Sequence, residues 1–131
     1  MKKLAVILLF VAIGCVNKVE PDKAKVLVEK LLNDVKAENY KDIDSYYTNS
    51  FNDSEPKEKK IEKYKKLKDV MGSLQSFSLI DSKENKSEDN VASVTLKYDL
   101  NYSNVKGEGT FTVINDDGSI RITFQNIVSK N

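Results

Sequence analysis

Ala92-Ser93-Val94-Thr95-Leu96-Lys97-Tyr98-Asp99-Leu100-Asn101-Tyr102 alternates without a break between two sets of side chains. Ala, Val, Leu, Tyr, Leu and Tyr fall on one phase, and Ser, Thr, Lys, Asp and Asn on the other. A side-chain period of two belongs to extended chain, so this stretch reads as a strand with one face buried and one wet. Upstream, Phe77 and Leu79 begin another strand, which the spacing predicts to end in the polar run Asp81 to Asn90. Downstream, Asn104 to Gly107 turns the chain, and Thr110 to Ile114 returns with Phe111 and Val113 inward. Asp116-Asp117-Gly118 is a tight hairpin signal, and Ile120, Ile122 and Phe124 alternate in the last strand. The expected product is an antiparallel meander.

Before Ser73 the period is helical. Asp22 follows proline and can cap a helix through Ala37, with Val26 or Leu27, Leu31 and Val35 at helical spacing. Asn39 interrupts it. A second helix fits Tyr40 to about Ser50, because Tyr40, Ile43, Tyr47 and Phe51 fall at steps of three and four. After the loop Asn52 to Pro56, Ser54 or Glu55 leads into a third helix ending at Met71, with Ile61, Tyr64, Leu67 and Met71 on its apolar face and Gly72 as its C-cap. This helix also carries Lys57, Lys59, Lys60, Lys63, Lys65, Lys66 and Lys68 against Glu55, Glu58, Glu62 and Asp69. The expectation is a solvated face of mixed ion pairs; an anionic lipid surface is the functional reading of the same lysines. Helices first and an antiparallel sheet afterwards is an α+β fold, with the helices on one face of a curved four-stranded sheet.

Composition narrows function by subtraction. The chain has 131 residues, no histidine and one cysteine, Cys15. Without histidine there is no Ser-His-Asp or Cys-His nucleophile pair, no histidine zinc site and no default titration near neutral pH. Lys and Arg number 21 against 20 Asp and Glu; without Lys2 and Lys3 the balance is 19 against 20. Such a balance gives no field to steer nucleic acid, and the lysines lack interleaved stacking aromatics. We expect no cofactor and no nucleic-acid partner.

Met1-Lys2-Lys3, the apolar run Leu4 to Ile13, and Gly14-Cys15 have the layout of a secretory signal peptide. The run is too short for a bilayer, which needs roughly 20 residues, and it never resumes after Ile13. Ala12-Ile13-Gly14-Cys15 resembles the lipobox of bacterial lipoproteins. The resemblance implies cleavage between Gly14 and Cys15 and acyl chains carried through the Cys15 sulfur. The organisation expected is therefore a signal peptide over 1–14, a lipidated tether over 15–21 and one α+β domain over 22–131. At about 3.3 Å per residue the tether holds the first helix within roughly 25 Å of the lipid. The protein is expected at the bacterial cell membrane, or at the outer membrane if the envelope is Gram-negative, with an envelope protein or peptide as possible partner.

Asn39 to Tyr47, the Gly72-Ser73-Leu74-Gln75-Ser76 junction, Phe111-Thr112-Val113 and Asp117 to Ile122 resemble small bacterial lipoproteins of the nuclear transport factor 2-like, cystatin-like superfamily. The resemblance implies a sheet curled into a cone whose mouth, in some members, holds or isomerises small molecules. Here the cone would be lined by Tyr40, Tyr47, Phe51, Tyr64, Tyr98 and Tyr102. Isomerase chemistry in this superfamily implies a buried acid and base together. Lys97 and Asp99 share the outer phase of their strand, Arg121 opposes Ile120 and Ile122, and only Asp81 is in phase with Phe77 and Leu79. Catalytic residues are therefore not expected. A non-enzymatic binding module is the first expectation; a hydrophobic-ligand carrier or small enzyme in the cone is the alternative. A cavity of roughly 300 Å³ or more with a buried ionisable group favours the second, and one filled by aromatic side chains favours the first.

Overall fold

In a computed structural model describing residues 18–87 and 89–130, the chain is α+β. Helix α1 spans Pro21–Lys36, a 3-10 turn Ile43–Tyr46, α2 Asn49–Ser54 and α3 Lys57–Met71. Strands β1 (Leu74–Lys86), β2 (Ala92–Tyr102), β3 (Lys106–Asp116) and β4 (Ser119–Ser129) complete the chain order. They form one antiparallel sheet in the order β1-β2-β3-β4. Gly14 and Cys15 lie outside the described residues.

Packing explains why the helices lie on one face. β2 buries Val94, Leu96, Tyr98, Leu100 and Tyr102, while Thr95, Lys97, Asp99 and Asn101 stay partly exposed. Against this inner face α1 sets Ala24, Val28, Leu31 and Leu32, and it touches β1, β2 and β4. Each fully buried aliphatic side chain contributes about 1.5–3 kcal/mol, so the core between the sheet's inner face and the helices is the main source of stability. The outer face carries polar pairs, among them Thr95 with Thr112 at 3.1 Å, Asn101 with Ser76 at 2.9 Å and Lys130 with Asp99 at 2.6 Å. Such exposed pairs contribute little.

Local chemistry sets the ends. Glu20, not Asp22, is the N-cap of α1; Pro21 takes the first helical position and Asp22 lies in the first turn, where its charge suits the helix dipole. The helix closes with Asn39 N–H donating to Asp34 O and Glu38 N–H to Val35 O, which puts Glu38 at φ 56°. Gly72 caps α3 at φ 91°, and a Cβ there would meet Ser103 Oγ at 2.0 Å. The β3–β4 hairpin turns on Asp117 and Gly118, both at positive φ.

Four expectations are corrected. No single helix covers Tyr40 to Ser50: Tyr47 is drawn into an extended bridge beside Ile122, and Thr48 N–H donates to Ile122 O at 3.0 Å. Thr48 then caps α2 by accepting from Phe51 N–H at 3.2 Å, so one apolar periodicity is split between a 3-10 turn and a new helix. Second, α3 begins at Lys57 with Pro56 as N-cap, and neither Ser54 nor Glu55 starts it. Third, β1 ends within the expected polar run, at Lys86, but Asp81 does not stand at that end, because pairing with β2 continues beyond it. Ile80 is unpaired between Leu79↔Tyr98 and Asp81↔Lys97, a bulge that turns Asp81 to the outer face. Fourth, Thr123 is unpaired between Val113↔Ile122 and Thr112↔Phe124, so Phe124 points outward, 52 % exposed.

Candidate functional site

The Thr123 bulge makes the site. Before it, Ile122 faces the core; beyond it, Gln125 and Ile127 take the inner phase, opposite Phe111 and Gly109. Gln125 Oε1 thereby accepts from the Tyr47 hydroxyl at 2.7 Å and from the Tyr64 hydroxyl at 3.1 Å, and the two phenols lie 2.9 Å apart. Two O–H protons serve three contacts, so the protons share them. The Gln125 amide nitrogen has no hydrogen-bond partner among the described residues. Burial pushes both phenols well above the usual tyrosine range; their mutual approach raises Tyr47 further, while donation to Gln125 opposes the rise. Both are neutral at physiological pH.

This cluster floors a cavity of about 370 Å³ between α2, α3 and β4. Phe51, Leu67, Val70 and Ile127 supply its apolar walls, and Lys63 and Lys66 stand at its rim. Phe51 stacks on Tyr47 with centroids 4.6 Å apart, and Val70 is 77 % exposed.

Lys60 also lines the cavity and corrects a further expectation, for it is only 2 % exposed and not part of a solvated face. Its Nζ donates to Asp44 Oδ1 at 2.7 Å and to Glu55 O at 2.6 Å, and lies 5.1 Å from the Tyr47 ring centroid and 5.6 Å from that of Phe51. The 3-10 turn and α2 fold back over the lysine; two acceptors and two ring faces compensate for the lost water.

The six aromatic residues expected in a cone do not share one lining. Tyr47, Phe51 and Tyr64 meet at this cavity. Tyr40 stacks behind Tyr64 at 6.0 Å, and Tyr40, Tyr64 and Tyr102 border a space of about 30 Å³, room for one water. Tyr98 is core, edge-on to Phe77 and Phe111, and its hydroxyl reaches Glu29 on α1 at 3.0 Å. Tyr46, half-buried, donates to Asp34; burial and then that carboxylate push its pKa up to about 12. Lys60 and Gln125 escape a reading of periodicity. One signal for Gln125 was present: apolar residues in β4 change phase between Ile122 and Ile127.

Comparison of the chain with protein-family models and with curated proteins finds no match.

Proposed function

We propose that the chain is a lipid-anchored, non-enzymatic binding module of the bacterial cell envelope, a small lipoprotein of the nuclear transport factor 2-like, cystatin-like type. Its ligand is held in the cavity between α3 and β4. The observation that carries the non-enzymatic reading is the polar floor of the cavity, where Tyr47, Tyr64 and Gln125 are bonded to one another and present no ionised group to a ligand. Binding is favoured over catalysis by the state of its groups. The phenols are neutral, the Lys60 charge is engaged by Asp44 and the Glu55 carbonyl, and no carboxylate among the described residues hydrogen-bonds to the phenol–amide cluster. Carriage of a hydrophobic small molecule is the second reading, favoured by a volume above 300 Å³ and by the buried Lys60.

The anchor rests on the Gly14-Cys15 junction. Val19 is buried, so a lipid on Cys15 would reach the folded surface through three residues, a span of about 14 Å. The module would then ride with the α1 N-terminus toward the bilayer, its partner an envelope protein or peptide.

Two measurements test this. Cys15→Ala moves the protein from the detergent phase to the aqueous phase; unchanged partitioning removes the anchor. Leu67→Trp fills the cavity and weakens anilinonaphthalene sulfonate binding to the folded protein by about tenfold or more, which is about 1.4 kcal/mol. Unaltered binding removes the cavity as the ligand site.

A further inference from the structure

Resting on the cavity reading above, we infer that the occupant is an extended peptide, added as a fifth strand along β4 with one apolar side chain sent into the cavity. Gln125, Asn126 and Ile127 all line the cavity. Consecutive strand residues alternate faces, so a space that touches all three reaches the strand's edge. Along that edge the Ile122 carbonyl is engaged by Thr48 N–H, while the outer backbone groups of Phe124 to Ser129 have no partner among the described residues. A small amphiphile can fill the cavity, but an extended chain can also pair, strand to strand, with the row of backbone donors and acceptors.

The chain itself begins this pairing. Tyr47 bridges Ile122 in parallel, and the segment then leaves the edge because Thr48 starts α2. A peptide would continue alongside the next residues of β4. The edge is also unguarded: no charged residue occurs from Ile122 to Ser129, and Phe124 and Val128 are about half exposed. At the mouth, Lys66 and Glu62 are 3.5 Å apart and both well exposed, a pair weak enough to be exchanged. Lys63 holds Glu55 at 3.1 Å on the same rim. The matching peptide carries an apolar residue for Leu67, Val70 and Ile127 and an acidic residue for the lysines.

The test uses the full chain in detergent micelles, screened against displayed random peptides of about seven residues, the length of an ordinary strand. An enriched sequence is synthesised with each backbone amide N-methylated in turn. We expect an apolar residue with a nearby acid, and a loss of about tenfold or more on N-methylation at every second position but not at those between. Leu67→Trp weakens the unmodified peptide similarly, and its amide-exchange protection falls on Phe124–Ser129. Tolerance of N-methylation throughout, or a peptide indifferent to Leu67→Trp that leaves β4 unprotected, overturns the inference. No enriched peptide, with anilinonaphthalene sulfonate still lost in Leu67→Trp, overturns it while leaving the cavity reading intact; loss of neither probe ends both. Concentration-dependent dimers with β4 protected in the absence of peptide replace the peptide by a second copy and overturn it as stated.

Discussion

β1 and β4 each run along an open edge of the sheet and each carries a bulge, at Ile80 and at Thr123, but the two bulges act on different material. Beyond Ile80, β1 continues as Asp81-Ser82-Lys83-Glu84-Asn85-Lys86, exposed on both faces. The phase change there alters nothing that is buried, and the charges repel a further strand. Beyond Thr123, β4 continues as Phe124-Gln125-Asn126-Ile127-Val128-Ser129, and the phase change decides that Gln125 and Ile127, not Phe124, face the helices. The same backbone irregularity is without consequence for burial at one edge and builds a pocket beside the other. The side chains carried past the bulge distinguish them.

The largest effect expected from this division comes at alkaline pH. On the β4 flank Tyr47 and Tyr64 are buried; on the β1 flank Tyr98 faces Leu79 and Tyr102 faces Leu74. All six tyrosines have their pKa raised, chiefly by burial, Tyr46 and Tyr102 to about 12. Below about pH 10 phenols are protonated in both folded and unfolded chains and cost nothing. Above it the unfolded chain releases protons that the folded chain keeps, so stability falls as pH rises toward the folded values. Tyr102 alone accounts for about 2 kcal/mol by pH 12. We expect tyrosinate absorbance and loss of helix circular dichroism to coincide in one transition above pH 10. Phenylalanine at Tyr98 and Tyr102, or at Tyr47 and Tyr64, should raise its midpoint in either case. Tyrosinate formed near pH 10 with the fold intact would mean that a flank is open to water, and the unaffected pair would show which.

Next in size is what the bulge places inward. Gln125→Ala with Ile127→Ala empties the two inner positions that the bulge supplies and leaves the phenols without their acceptor. The cost should be about 3 kcal/mol, from the burial of Ile127 and the bonds to Gln125. Deleting Ile80 should cost less than about 1 kcal/mol, because the residues beyond it in β1 are exposed. Denaturant midpoints with unchanged slopes give both values; equal losses would refute the asymmetry.

Much of the fold is legible because local and tertiary preferences agree. The alternation of β2 is buried as its sequence demands, Gly72 ends α3, and Asp117-Gly118 turns the last hairpin. The site is less legible because it depends on exceptions to periodicity. A bulge inserts one residue with no residue type that marks it, so alternation extended from Ile120 and Ile122 carries Phe124 to the wrong face. Lys60 is unreadable for another reason: burial of its ammonium depends on Asp44 and the Glu55 carbonyl, which come from elements whose positions the sequence pattern misassigns. The helical spacing of Tyr40, Ile43, Tyr47 and Phe51 is real, but a strand-edge bond to Ile122 outcompetes it at Thr48.

The smallest effects on stability test whether charge alone separates the two edges. Phe124→Lys places a cation on the outer face of β4, where the side chain is already half exposed and fills no core volume. Its stability change should stay within about 0.5 kcal/mol, as for other surface substitutions. Lys83→Val with Lys86→Val removes both cations of β1 and leaves Asp81 and Glu84, again at little cost in stability. The readout that should move is association, since an open edge carrying fewer charges is a better template for another strand. The β1 double variant should show concentration-dependent mass in light scattering that the native chain lacks at the same concentration, and Phe124→Lys should lower any self-association of the native chain. Should the stripped β1 remain monomeric, its bulge at Ile80 and its remaining acids are sufficient to protect it, and the missing charges of β4 would no longer mark that edge as the open one.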